Sequence, residues 1–84
     1  MYTILRLPAV KACSGLSRST VYLRIKDGTF PSPISLGVRS VGWPAHEVDA
    51  LNAARIAGKT DDEIRTLVVT LEAARKTAGQ GGAK

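Results

Sequence analysis

Cysteine, histidine and aromatic rings are scarce in this chain of 84 residues, and each shortage excludes something. A single cysteine, Cys13, rules out an internal disulfide framework, and one histidine, His46, leaves too few soft ligands for a structural zinc site. Packing has to hold the fold, and the length allows one small core rather than two domains. No apolar run reaches the ~18 residues of a membrane helix. Met1 to Arg6 lacks a basic head leading into a long apolar stretch, so the cytoplasm is the expected location. Catalytic motifs fail in detail. His46-Glu47-Val48-Asp49-Ala50 has Ala50 where a zinc-protease helix needs its second histidine, so His46 reads as a surface residue. Gly37 to Gly42 has the glycine spacing of a phosphate loop, but Trp43 and Pro44 stand where Lys and Ser or Thr are required. No nucleophile sits beside a base, so no enzymatic activity, cofactor or small-molecule substrate is expected. Cys13 and Trp43 read as core residues.

What the chain does have is charge, unevenly placed. The formal net charge is +5. Residues 1–43 carry Arg6, Lys11, Arg18, Arg24, Lys26 and Arg39 against Asp27 alone. Residues 44–84 carry Arg55, Lys59, Arg65, Arg75, Lys76 and Lys84 against Glu47, Asp49, Asp61, Asp62, Glu63 and Glu72, a balance of zero. All the net charge therefore belongs to the first half, which points that half toward a polyanion.

Punctuation by glycine, proline and capping residues divides the chain. Tyr2 to Arg6 is a short extended lead-in, and Pro8 suits the first turn of a helix over about Pro8 to Cys13, ended by Gly15. Ser17 offers an N-terminal cap to a second helix, Arg18 to Asp27, with Val21 and Ile25 on one face and Gly28 as its stop. Thr29-Phe30-Pro31-Ser32-Pro33 cannot continue a helix. Ile34-Ser35-Leu36 and Val41-Gly42-Trp43 read as a small hairpin, and Pro44 opens a third helix carrying Val48, Leu51 and Ile56, ended at Gly58. Thr60-Asp61-Asp62-Glu63 is a capping box for a fourth helix whose Ile64, Leu67, Val68, Leu71 and Ala74 form an apolar stripe. That stripe has two candidate partners, the protomer's own core or a second copy in a homodimer through Ile64, Leu67, Val68 and Leu71. The expected organisation is a domain over 1–58, an amphipathic helix over 59–77 and a flexible tail over 78–84.

Two short helices joined by a tight glycine turn form a helix-turn-helix pattern. The second bears Ser17, Arg18, Ser19, Thr20, Tyr22, Arg24 and Lys26. Such a helix fits the DNA major groove, where arginine bonds guanine in two places and Ser or Thr reaches bases or phosphates. Ser17 could serve only as a cap, whereas Arg18 has no helix-capping reason to stand at a positive helix end. Tyr22 has two readings, a hydroxyl on phosphate or a ring buried against helix one. Arg24 and Lys26 read as solvated or phosphate-facing. Arg39 and Ser40 at the hairpin tip would form a wing on the backbone or in the minor groove.

Several runs in residues 4 to 51 resemble the AlpA family of phage-derived transcriptional regulators. They are Arg6-Leu7-Pro8-Ala9-Val10, Gly15-Leu16-Ser17-Arg18-Ser19-Thr20-Val21-Tyr22, Gly28-Thr29-Phe30-Pro31-Ser32-Pro33, and Val41-Gly42-Trp43 with Glu47-Val48. The resemblance implies a winged helix-turn-helix like that of MerR regulators and excisionases; with the C-terminal helix, which lies outside the resemblance and is expected from its stripe alone, the expected fold is mainly α with a small β-hairpin wing. The resemblance further implies double-stranded DNA as partner, with Ser17, Arg18, Ser19, Thr20 and Tyr22 on the recognition helix and Arg39 in the wing. Excisionase or DNA-architectural action, and an adaptor using the fourth helix, are the competing expectations.

Overall fold

The structure is a computed structural model and describes residues 3–82. The elements follow in the order β1 (Ile4–Leu5), α1 (Leu7–Ser14), α2 (Arg18–Asp27), β2 (Ile34–Gly37), β3 (Ser40–Pro44), α3 (Ala45–Ile56) and α4 (Asp61–Gly82). The fold is thus mainly α with a hairpin wing. Of the extended lead-in, Tyr2 lies outside the described residues.

Local chemistry explains most boundaries. Gly15 ends α1 in the left-handed conformation (φ +72°), and its N–H donates to the Lys11 carbonyl at 2.9 Å. Gly28 (φ +84°) and Thr29 close α2 with paired N–H bonds to the Ile25 and Arg24 carbonyls at 3.2 and 2.9 Å. The capping box forms as expected. Thr60 N–H donates to Glu63 Oε1 at 2.9 Å, and Glu63 N–H donates to Thr60 Oγ1 at 3.2 Å. The bonds from Thr60 hold the Glu63 carboxyl below its ordinary pKa.

The three strands form one antiparallel sheet in the order β1-β3-β2. Leu5 pairs with Trp43 and Ile34 with Gly42, so β3 is central and its alternate residues face opposite sides. Trp43 goes inward and is fully buried. Its Nε1–H donates to the Pro31 carbonyl at 2.9 Å, and the Phe30 ring meets it edge-on at 6.5 Å. Around it lie Val10 of α1, Val21 of α2, Val48, Leu51 and Ala54 of α3, and Ile64 and Val68 of α4. Gly42 faces the other side, where a Cβ would stand 2.6 Å from Ile4 Cγ2 and 3.0 Å from Leu36 Cδ1 and the Leu5 carbonyl.

Two expectations need correction, the burial of Cys13 and the end of α4, and one open alternative is narrowed. Cys13 is exposed, because the short α1 sends Val10 to the core and its last turn has already left it. The α4 stripe, for which the protomer's own core and a second copy were both candidates, lies against the protomer's own core. Ile64 and Val68 are buried and Leu67 and Leu71 pack against the same core, so a second copy would have to take them from it. Finally, α4 does not stop at 77. Its backbone runs through Gly82, since an established helix adds one bond per residue and no proline interrupts it. The expected tail over 78–84 thus falls partly within the helix, and residues 83–84 lie outside the described ones.

One contact had no signal in the sequence. Glu47 on α3 is fully buried, and Arg75 on α4 grips it with two bonds, Nε to Oε2 at 2.9 Å and Nη2 to Oε1 at 2.6 Å. Arg75 Nη2 also donates to the Ser32 carbonyl at 2.7 Å, while Ser32 N–H donates to Glu72 Oε2 at 2.8 Å. The bonds to Glu47 push the Arg75 guanidinium above its usual pKa against the opposing effect of burial.

Two stability outcomes follow from these contacts. Gly42→Ala should cost about 1–3 kcal/mol, because the new methyl forces β1 and β2 apart; an unchanged urea midpoint would show that the sheet has the room. Arg75→Ala should cost about 3 kcal/mol, since it strands a buried carboxylate. Lys59→Ala, which removes an exposed pair at 4.0 Å with Glu63, should cost under about 1 kcal/mol. Equal losses in the two variants, read by urea unfolding, would deny the buried pair its special weight.

Candidate nucleic-acid interface

The helix α2 begins where Ser17 caps it. Ser17 Oγ accepts the Thr20 N–H at 3.2 Å and shares a 2.9 Å hydrogen bond with Thr20 Oγ1. Ser17 therefore acts as the cap, and the Thr20 hydroxyl is turned back to it. Val21 is the fully buried residue of α2, so the opposite side of the helix points away from the molecule. Ser19, Tyr22, Leu23 and Lys26 are exposed on that side, with Arg18 exposed beside them.

Arg18 and Tyr22 are held together. The Arg18 guanidinium carbon lies 5.9 Å from the centre of the Tyr22 ring, a cation–π arrangement. The same ring meets Trp43 edge-on at 6.4 Å and 66°. Tyr22 is thus neither free nor buried against α1. It meets Trp43 of the central strand while keeping 40% exposure. Through this contact the outward side of α2 is tied to β3, the strand it shares with the wing.

Arg24 lies elsewhere. It is half-buried and, with Thr20, lines an open cleft on the flank of α2 alongside Leu23, Asp27, Thr29, Arg55, Asp61 and Arg65. Across that cleft Arg65 Nε donates to the Asp27 carbonyl at 3.0 Å, a cation at the negative end of α2. In the wing, Val38 and Arg39 form the turn between Gly37 and Ser40, with Arg39 in the left-handed region at φ +62°. Arg39 is exposed and Ser40 half-buried. The structure therefore gathers Arg18, Ser19, Tyr22 and Lys26 on one side of α2, leaves Ser17 with Thr20 at its cap, turns Arg24 to the flank and carries Arg39 and Ser40 on a separate projection.

Sequence reasoning missed Leu23, which is 58% exposed on the outward side. The available signal was its phase, since Leu23 falls off the face shared by Val21 and Ile25. It also missed how the charges pair. The four ion pairs among the described residues join Arg55 to Asp61, Lys59 to Glu63, Arg65 to Asp62 and Arg75 to Glu47. None involves a cation of residues 1–43. Among the described residues no cluster of three or more His, Cys, Asp or Glu gathers for a metal, and no helix is long and apolar enough to cross a membrane. His46 is exposed and Trp43 belongs to the core, as expected.

A helix-turn-helix of α1 and α2 followed by a β2–β3 hairpin defines a winged helix-turn-helix module. Residues 3–56 match the family described as Prophage CP4-57 regulatory protein (AlpA), and the chain belongs to this AlpA family. A protein of Enterobacteria phage P4, "Uncharacterized protein ORF88", is 51% identical over 55 residues, covering 66% of this chain and 62% of that protein. The "DNA-binding transcriptional activator AlpA" of Escherichia coli (strain K12) is 50% identical over 52 residues, covering 55% of this chain and 74% of that protein. The match thus spans less than two thirds of the phage protein's length. No solved structure matches the chain.

Proposed function

We propose that this protein is a sequence-specific regulator of transcription that binds double-stranded DNA, with α2 in the major groove and the β2–β3 wing along the backbone or minor groove. The observation that carries the reading is the set of six cations in residues 1–43, none engaged in an ion pair among the described residues. Unpaired cations beside an outward-facing, capped helix are what a phosphate surface requires. The similarity to a bacterial protein named as a DNA-binding transcriptional activator supports the same reading. Arg18 reads bases, with its guanidinium oriented by Tyr22, and Ser19 reaches bases or phosphates beside it. Ser17 and Thr20 fix the helix start, Lys26 contacts the backbone, Arg24 contributes to the positive field from the flank, and Arg39 with Ser40 forms the wing contact. Activation, repression and excisionase-type action share these contacts. The burial of Ile64 and Val68 in the core favours the DNA-binding reading over the adaptor alternative.

With about four to six phosphates engaged, log affinity should fall against log salt with a slope of about −4 to −5. Titration of duplexes selected from a random pool, at several salt concentrations, reads this slope; affinity independent of salt, or no duplex binding, overturns the proposal. On the selected site, Arg18→Ala should cost about 1–3 kcal/mol and much less on random DNA, whereas Arg39→Ala should weaken both alike. Equal losses for Arg18→Ala on the two DNAs would reduce Arg18 to a phosphate contact.

A further inference from the structure

The most outward part of α2 carries an apolar side chain. Each helical residue advances about 100°, so with Val21 pointing into the core, Ser19, Leu23 and Lys26 lie nearest the opposite direction. Leu23 is 58% exposed there, more than Tyr22 at 40%, on a helix whose other outward residues are polar or charged. Core packing does not explain it, since the half-buried and buried apolar residues of α2 are Ile25 and Val21.

The surroundings of Leu23 say what it meets. Ser19 and Lys26 share its side of the helix, its flank borders the cleft lined by Arg24, Asp27, Arg55 and Asp61, Arg18 lies beside Tyr22, and none of the cations in residues 1–43 has an ion-pair partner among the described residues. An apolar protein surface would leave these groups stranded, and a bare phosphate surface would leave Leu23 without a contact. A duplex satisfies both. Its phosphates flank the major groove, and the apolar group on the groove floor is the C5-methyl of a pyrimidine.

We propose that Leu23 is a specificity-determining residue that packs against the C5-methyl group of a thymine in the recognised site. The inference rests on the DNA-binding reading above and adds to it a base class and a residue. 5-Methylcytosine offers the same methyl group, and thymine is assigned because it is present in any duplex without modification.

The test uses the full chain and a duplex selected from a random pool. Each thymine of the selected site is replaced singly by uracil, which lacks only the methyl. At one position, uracil should weaken binding about fourfold, the worth of one buried methylene-sized group. Leu23→Ala should bind the thymine and uracil forms equally at that position, whereas Leu23→Met, which keeps an apolar reach, should still separate them. Because Leu23 is exposed, both variants should melt with the native protein. Uracil tolerated at every position, or a preference for thymine that survives Leu23→Ala, overturns the proposal. Tighter binding when 5-methylcytosine replaces that thymine overturns the assignment to thymine. A site that depends on Arg18 yet ignores uracil removes Leu23 alone, and failure to bind any duplex removes the DNA-binding reading with it.

Discussion

The buried carboxylate of Glu47 sets conditions that much of the molecule has to meet. A charge without water is tolerable only with a close opposite charge and saturated hydrogen bonds, and Arg75 supplies both from another helix. The same guanidinium reaches the Ser32 carbonyl, while Glu72, on the same helix, takes the Ser32 N–H. Both sides of Ser32 are thereby held, and its neighbour Pro31 offers the carbonyl that accepts from Trp43. Trp43 in turn contacts the Tyr22 ring, over which Arg18 lies. A continuous set of contacts runs from the ion pair to Tyr22 and Arg18 of α2, so the position of that helix is linked to the Glu47–Arg75 pair.

This support matters because α2 has little burial of its own. Val21 is its fully buried residue, and Ile25 is only half-buried. A helix that must leave one side open for recognition cannot gain much from packing, so its ends carry more of the weight. Ser17 satisfies the Thr20 N–H at one end, and Gly28 and Thr29 satisfy two carbonyls at the other. Arg65 adds a bond to the Asp27 carbonyl across the flanking cleft. Each cap contributes about 1 kcal/mol, comparable to the partial burial of a side chain.

What was legible in the sequence was what depends on near neighbours. The Ser17 cap, the glycine stops of α1 and α2 and the Thr60–Glu63 capping box all act over a few residues, and each formed as the local chemistry required. The phase of the α4 stripe also identified its inward face, but not what that face would meet. Glu47 and Arg75 stand 28 residues apart, so nothing local distinguishes them from the other charges of a neutral half. The need for Gly42 was hidden for the same reason, because its neighbours Ile4 and Leu36 come from two other strands. Cys13 misled differently. In a helix of eight residues the apolar period repeats barely twice, too little to fix which face is buried. In the candidate site, residue types singled out α2, while the contact of Tyr22 with Trp43 and the exposure of Leu23 required the packed core.

The charge pattern acquires its meaning from the same long-range contacts. Counting alone gives a positive first half and a neutral second half. The structure shows that this neutrality is internal, since Glu47, Asp61, Asp62 and Glu63 each pair with a cation of their own half, and Glu72 holds a backbone N–H. These acids are committed and leave the field of the first half uncompensated. Had Asp61 or Glu72 paired with Arg24 or Arg18, the formal charge would be the same but the surface would offer phosphate far less. Net charge is a property of composition, whereas the potential an anion meets depends on which charges have already found partners. Here α4 packs on the core, and Asp61, although it shares a cleft with Arg24, is paired with Arg55 rather than with a cation of α2.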